Sequence, residues 1–529
     1  MRTVLTLSLL AGGLLGGCAG WNKLPNQGDL NLDADLWDPN RALATEDGLY
    51  IPLTQAGGLA LIPAGNGDPV RIDLGEGRLS KLTASPDRSK LVAFVETYRC
   101  DEEDPKEAKK DHFLDDCRVD DLEITTSIRV IDGKKAAAPV EVDGSFNGIT
   151  YSHDGQFAVA YLDFSDPDLV LDGVINLTSV VVLNLASGES KSVSVGFAAD
   201  RVLFTQNLLG EAEKAVVLSQ NEVAVVDLTT DPPTNSVTFP LTLDPDSVVI
   251  PVGIELTPDG RYALISVAGS SDLYALDLLT ESINIVELSH NPTDMDVNTA
   301  TDTTVLVYNS GSVVEVLEHQ TFEIETTALD EPMSRIATGT DFALLWSDGS
   351  EHDAYRLDLD SNVLVEYRLQ NPAVSMHISP TEEFAIALTR AEDGFGEGVE
   401  GLYDSNPGME IIDLDDDETE PFLLEGAGLG VSWADTENSL HALVLQEAVE
   451  YVYKLDMYTG NAEEVELTEP PLSIGNMNDG TFFITHDVAL GLVTFLDPKT
   501  NKTREVSGFA TLGISDATEL LEEEKKGGK

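Results

Sequence analysis

A unit of about forty residues recurs along most of this chain, and a period in that range belongs to arrays of small supersecondary modules such as propellers or solenoids. A proline opens a strand-like segment at Pro251, and again at Pro292, Pro332 and Pro372. An acidic residue closes a later segment in the same register at Asp277, Glu318 and Asp358. Inside one unit, an alternating segment runs into the turn Thr257-Pro258-Asp259-Gly260. An apolar segment follows at residues 262–267, then a third at 273–278 and a partly polar fourth at 283–288. Short β-rich runs divided by Pro, Asp and Gly turns predict antiparallel sheets. No segment of this region carries helical periodicity.

The turn recurs in altered form at Ser85-Pro86-Asp87-Arg88, Ser152-His153-Asp154-Gly155, Ser379-Pro380-Thr381-Glu382 and Asn478-Asp479-Gly480. Proline presets the turn dihedral, Asp caps backbone amides and Gly permits a positive φ. The third segment recurs as Val130-Ile131-Asp132, Val182-Leu183-Asn184, Val225-Val226-Asp227, Ile411-Ile412-Asp413, Lys454-Leu455-Asp456 and Phe495-Leu496-Asp497. On these two motifs the region 48–516 resembles the bacterial YVTN, TolB-like and lactonase-like β-propeller repeats. The resemblance implies an all-β propeller of four-stranded antiparallel blades. About ten closing strands can be read, beginning with Arg71-Ile72-Asp73-Leu74, whereas propellers typically have four to eight blades. Three arrangements follow: one large ring, a ring with irregular units, or two tandem rings with a break near Asp244-Pro245-Asp246. The first unit, read from Leu49, lacks an inner strand, and residues 509–514 have the pattern of one. A C-terminal strand that completes the first blade would remove exposed sheet edges.

The chain divides into a leader at 1–17, a tether at 18–45, the repeat region at 46–516 and a charged tail at 517–529. Arg2, the apolar run 4–15 and the ending Leu15-Gly16-Gly17-Cys18 read as an export signal, since the run is too short to span a bilayer. That ending resembles the lipobox of bacterial lipoproteins. The resemblance implies that Cys18 becomes the first mature residue and carries lipid, and that Ala19 behind it directs the protein to the outer membrane. Cys100 and Cys117 are then the remaining cysteines, and an exported setting permits a disulfide between them.

The chain has 94 acids against 31 bases, a net charge of −63. Nucleic acid is excluded as a partner, because affinity there comes from cationic neutralisation of phosphate. The acids are spread along the chain and serve solubility. The 42% of hydrophobic residues suffices for a sizeable core.

Long insertions at 97–126, 163–178 and 391–408 fall between the second and third strands of their units. Loops held by a rigid scaffold commonly carry binding residues, so these insertions are expected to form a recognition rim. His290 with Asp294, His352 with Asp353, and His486 with Asp487 are expected on the same face, as acid–base pairs or ligands. No metal is assigned. Calcium is the one cation the acidic stretches suggest, but Asp413 to Glu418 lacks the spacing of an EF-hand loop. No catalytic motif is present, so a lactonase-like activity is not carried over from the resemblance. The expectation is a lipid-anchored envelope module, attached to the membrane by its N-terminal lipid, that binds a protein or polysaccharide. The alternative is a propeller hydrolase with its site at the mouth of the central channel. The oligomeric state is not legible.

Overall fold

The computed structural model describes residues 37–512, apart from 55–56, 66, 76, 101–121, 144–145, 164–177, 197–198, 208, 220, 243–248, 393–397 and 437–438. The strands form ten antiparallel sheets, each of four consecutive strands paired in chain order. The second sheet carries an additional strand, Val140–Asp143, beside its third. In the fifth blade the strands are Pro251–Leu256, Tyr262–Val267, Asp272–Asp277 and Ser282–Glu287, from the innermost to the outermost.

The repeat motifs are the turns of these blades. The Thr257 hydroxyl donates to Asp259 Oδ1 at 2.7 Å and accepts the Tyr262 amide at 3.0 Å. Gly260 takes a φ of 66° to close the hairpin. Asp277 at the end of the third strand accepts the Leu279 and Thr280 amides, each at 2.9 Å. Asp358 and Asp413 cap the corresponding turns of their own blades. The recurring acids are therefore turn caps, placed by the amides two and three residues on that they must reach.

Each blade is apolar on both faces and so needs a neighbour on both sides. The described residues contain ten hydrophobic clusters, and each lies between two consecutive blades. Blades 4 and 5, which flank the break a two-ring arrangement would need, share one of them through Val216, Val225, Ile254 and Ile265. The tenth cluster joins blade 10 to blade 1 through Phe483, Val493, Leu49 and Ile51. The chain is thus one closed ring of ten blades, more than the usual four to eight. A larger number of blades brings neighbouring sheets closer to parallel and widens the central channel.

Closure differs from the expected C-terminal strand. Blade 1 has its own inner strand, Leu43–Ala44, paired with Leu49 and Tyr50. Phe509–Thr511 is a turn of 3-10 helix that packs into the seam, because Gly508 at φ 77° turns the chain inward. Phe509 meets Trp37 edge-on at 5.0 Å, and the Trp37 indole donates to the Val488 carbonyl at 2.8 Å. Arg88 of blade 2 reaches past the short inner strand to Asn476 of blade 10 at 3.2 Å. Residues 37–44, expected within the tether, therefore belong to the ring. Residues 1–36, with Cys18, and 513–529 lie outside the described residues.

Candidate binding face

Inner strands start, second strands end and third strands start on one face of the ring, so the inter-blade connections and the second-to-third-strand loops share it. All three long insertions leave from this face. They lie between Leu91–Cys100 and Leu122–Asp132, between Phe157–Tyr161 and Ser179–Asn184, and between Phe384–Thr389 and Gly408–Asp413. Cys100 ends the strand that enters the first insertion, and Cys117 lies outside the described residues. The third insertion contains the helix Gly398–Asp404, which the absence of helical periodicity did not anticipate. Seven residues are too few to display a period.

The six candidate residues share this face but do not form one site. His290 stands in the connection to blade 6 with its ring 5.6 Å from Tyr308. Asp294 accepts the Met295 amide at 3.0 Å and the Ile336 amide of blade 7 at 3.1 Å, so it ties two inner strands together. His352 lies 3.3 Å from Glu392 of the third insertion, an ion pair when the ring is protonated. Asp353 begins a third strand opposite Arg368. Asp487 is exposed just beyond the strand that ends at His486.

His486 is structural. It is fully buried and donates Nδ1–H to the Glu469 carbonyl at 2.8 Å, while Nε2 lies 2.8 Å from the Thr494 hydroxyl. Burial pushes its ring below the ordinary histidine range, so it stays neutral and links blade 10 to the preceding connection. Among the described residues, no group of three or more His, Cys, Asp or Glu is placed to hold a metal ion.

The wall of the channel carries groups that the motifs did not single out. Glu255 of blade 5 is pushed up to about 7, by burial first and then by the nearby charges of Asp296 and Asp294, against the pull of Arg201. Asp296 accepts the Thr338 amide at 3.2 Å and its hydroxyl at 2.9 Å. Asp200 of blade 4 is raised by burial, with Arg201 pulling the other way. Glu255, Asp294, Asp296 and Asp200 thus form an acidic arc over blades 4 to 6, with Arg201 inside it. Arg335 pairs with Asp348 at 2.8 Å and also lies near enough to Asp294 to pull its carboxyl down, so Arg201 and Arg335 both border the arc.

No family model matches this chain, and no curated protein matches it. Some solved structures are similar to it. One is the Kuenenia stuttgartiensis hydrazine synthase, at 12% identity and a TM-score of 0.33, covering 57% of this chain and 94% of that one. A dihydro-heme d1 dehydrogenase NirN in complex with DHE has 12% identity and a TM-score of 0.37, covering 65% and 77%. A eukaryotic initiation factor has 11% identity and a TM-score of 0.48, covering 80% and 96%. None of these similarities bears on activity.

Proposed function

We propose that this chain is a binding module of the bacterial cell envelope that presents the insertion-bearing face of its propeller to a protein or polysaccharide. The observation that carries this reading is the grouping of three long insertions on one face of a ring whose other connections run to ten residues at most, at 241–250. A rigid ring offers those loops a fixed frame, which suits recognition. The three candidate pairs lie on blades 6, 7 and 10, so they do not converge on one catalytic cluster of the kind the hydrolase alternative would need.

Attachment would come from lipid on Cys18, with the outer membrane as destination. No helix among the described residues is long and apolar enough to cross a membrane. A Cys100–Cys117 bridge would brace the first insertion, worth about 3 kcal/mol for a loop of that size by the chain-entropy relation.

Crosslinked pull-down from envelope membranes tests the module. Trimming the first insertion between Cys100 and Leu122 and the third between Glu392 and Tyr403, which spares the paired strand residues and the carbonyls that Asn371 holds, is expected to leave melting nearly unchanged and to weaken partner capture. Undiminished capture would refute the rim. Mass spectrometry of the mature N-terminal peptide and non-reducing peptide mapping test the lipid and the disulfide.

A further inference from the structure

Six inner strands share one irregularity. The register to the second strand slips between Leu79 and Lys81, Ala199 and Arg201, Pro251 and Gly253, Ala373 and Ser375, Gly428 and Gly430, and Pro471 and Ser473. The extra residues are Ser80, Asp200, Val252, Val374, Leu429 and Leu472. A bulge leaves its extra residue out of the ladder and re-aims the side chain.

The consequence is visible in the exposure of the apolar members. Strict alternation would place Val374 with Met376 and Ile378, and Leu429 with Val431 and Trp433, on a buried face. Instead Val252, Val374, Leu429 and Leu472 are 51%, 53%, 58% and 36% exposed. They lie on the innermost strand of each blade, at the end next to the insertion-bearing face. The surface open to them is the mouth of the channel. Val374, Leu429 and Leu472 occupy consecutive blades 8, 9 and 10 and form an apolar arc, with Val252 on blade 5. The acidic arc of Asp200, Glu255, Asp294 and Asp296 occupies blades 4 to 6.

We propose that the channel mouth docks a cationic amphipathic peptide segment of a partner protein, with its apolar side chains against Val374, Leu429 and Leu472 and its Lys or Arg toward the acidic arc. The proposal rests on the binding-module reading and names the chemistry of the partner. Grouped apolar exposure of this kind marks a contact surface. Charge complementarity selects the occupant. A second copy of a chain with net charge −63 would bring like charge. Residues 1–36 carry Arg2 and Lys23 against Asp29, Asp33 and Asp35, and residues 513–529 carry three lysines against five acids. Neither terminus is cationic. Anionic lipid headgroups would be repelled.

The test uses the full chain and a fluorescent synthetic peptide of Leu and Lys spaced so that the leucines line one helical face. A control peptide replaces each Leu by Ser at the same charge. Anisotropy titration is expected to show the Leu/Lys peptide binding about tenfold tighter than the control. The triple variant Val374→Ser, Leu429→Ser, Leu472→Ser is expected to remove that difference with unchanged melting. Leu429→Lys, a single exposed change, is expected to weaken binding of both peptides, as is Asp200→Asn. Equal binding of the two peptides, or a triple variant that binds like the parent, overturns the proposal. A photo-crosslinking residue at position 429, with the protein in envelope membranes, should label another protein; label on residues 1–36, on 513–529 or on a second copy also overturns it. Failure of the insertion rim is read separately, as intact envelope capture by the trimmed loops.

Discussion

Glu315 and Glu410 occupy the same place in blades 6 and 8, three residues before the acid that ends the third strand, yet only Glu315 has both carboxylate oxygens hydrogen-bonded. Glu315 takes the Ser289 amide at 3.3 Å, the Ser289 hydroxyl and the Tyr308 hydroxyl. Glu410 Oε1 takes the Gln370 amide, while Oε2 makes no hydrogen bond, and neither does Oδ1 of the neighbouring, buried Asn371. Asn371 uses its side-chain amide to hold the Tyr403 and Asn406 carbonyls at 2.8 and 3.0 Å, at the end of the insertion helix. The position latches the inter-blade connection to the sheet, and in blade 8 the latch is short of donors.

Burial pushes Glu410 up to about 7, against the pull of the Gln370 and Asn371 amides and of His352. The sign is that of a raised acid. Between the ordinary carboxylate range and about 7, the folded protein holds a proton that the unfolded chain has released. Stability therefore falls as pH rises through that interval and is unaffected by this group below it. Glu410→Gln stays neutral and gains two N–H donors. It is expected to melt like the parent near pH 4, and to be more stable by about 1–2 kcal/mol near pH 8. Thermal melts at the two pH values check this, and a pH-independent difference would contradict it.

Ring closure by side chains makes a different prediction from closure by a strand. Phe509 is buried at the seam against Trp37. Phe509→Ala is expected to cost about 3–5 kcal/mol, as for other large aromatic deletions in a core. Trp37→Ala is expected to be similarly severe. The double variant should cost less than the sum, because contacting residues couple. Denaturant titration of the four proteins measures this, and strict additivity would mean that the two rings do not share a site.

His486 should separate folding from recognition. His486→Ala removes the hydrogen bonds to the Glu469 carbonyl and the Thr494 hydroxyl and leaves the buried Thr494 hydroxyl without that partner. A loss of roughly 2–3 kcal/mol is expected, with partner capture by the surviving folded protein unchanged. Melting and envelope pull-down read the two effects, and a capture defect without destabilisation would restore His486 to the binding face.

What the sequence disclosed was what local chemistry decides. The Ser-Asp-Gly turns and the acids closing the third strands cap amides two or three residues away, so their spacing is visible in the chain. The seam was misread because Leu43–Ala44 is too short to carry a pattern, while Phe509 to Ile514 alternates like a strand although its start is folded as a 3-10 turn. The apolar arc was hidden for the same kind of reason. Val374, Met376 and Ile378 alternate as a buried face should, and only the slip between Ala373 and Ser375 turns Val374 outward. The role of His486 depends on groups 8 and 17 residues away, which spacing alone does not bring together.

The pH and salt dependence of the whole ring follows from two opposed sets of carboxylates. Asp87, Asp358 and Asp497 are held below the usual range, first by the hydroxyls of Ser85, Ser361 and Thr500 respectively. For such depressed acids the contribution is present above the unfolded pKa and lost as pH falls through the folded one. Glu255 and Glu410, each pushed up to about 7, act in the opposite sense and weaken the fold as pH rises toward neutrality. Repulsion within a net charge of −63 adds to the loss at higher pH. Maximum stability is therefore expected near pH 5, below the charging of the buried glutamates and above the loss of the turn caps. Added salt screens the repulsion and should raise the melting temperature near pH 8 more than near pH 5. A set of thermal melts across pH and salt tests this directly. A maximum above neutrality, or a salt effect equal at both pH values, would show that the buried glutamates and the surface charge do not govern the profile.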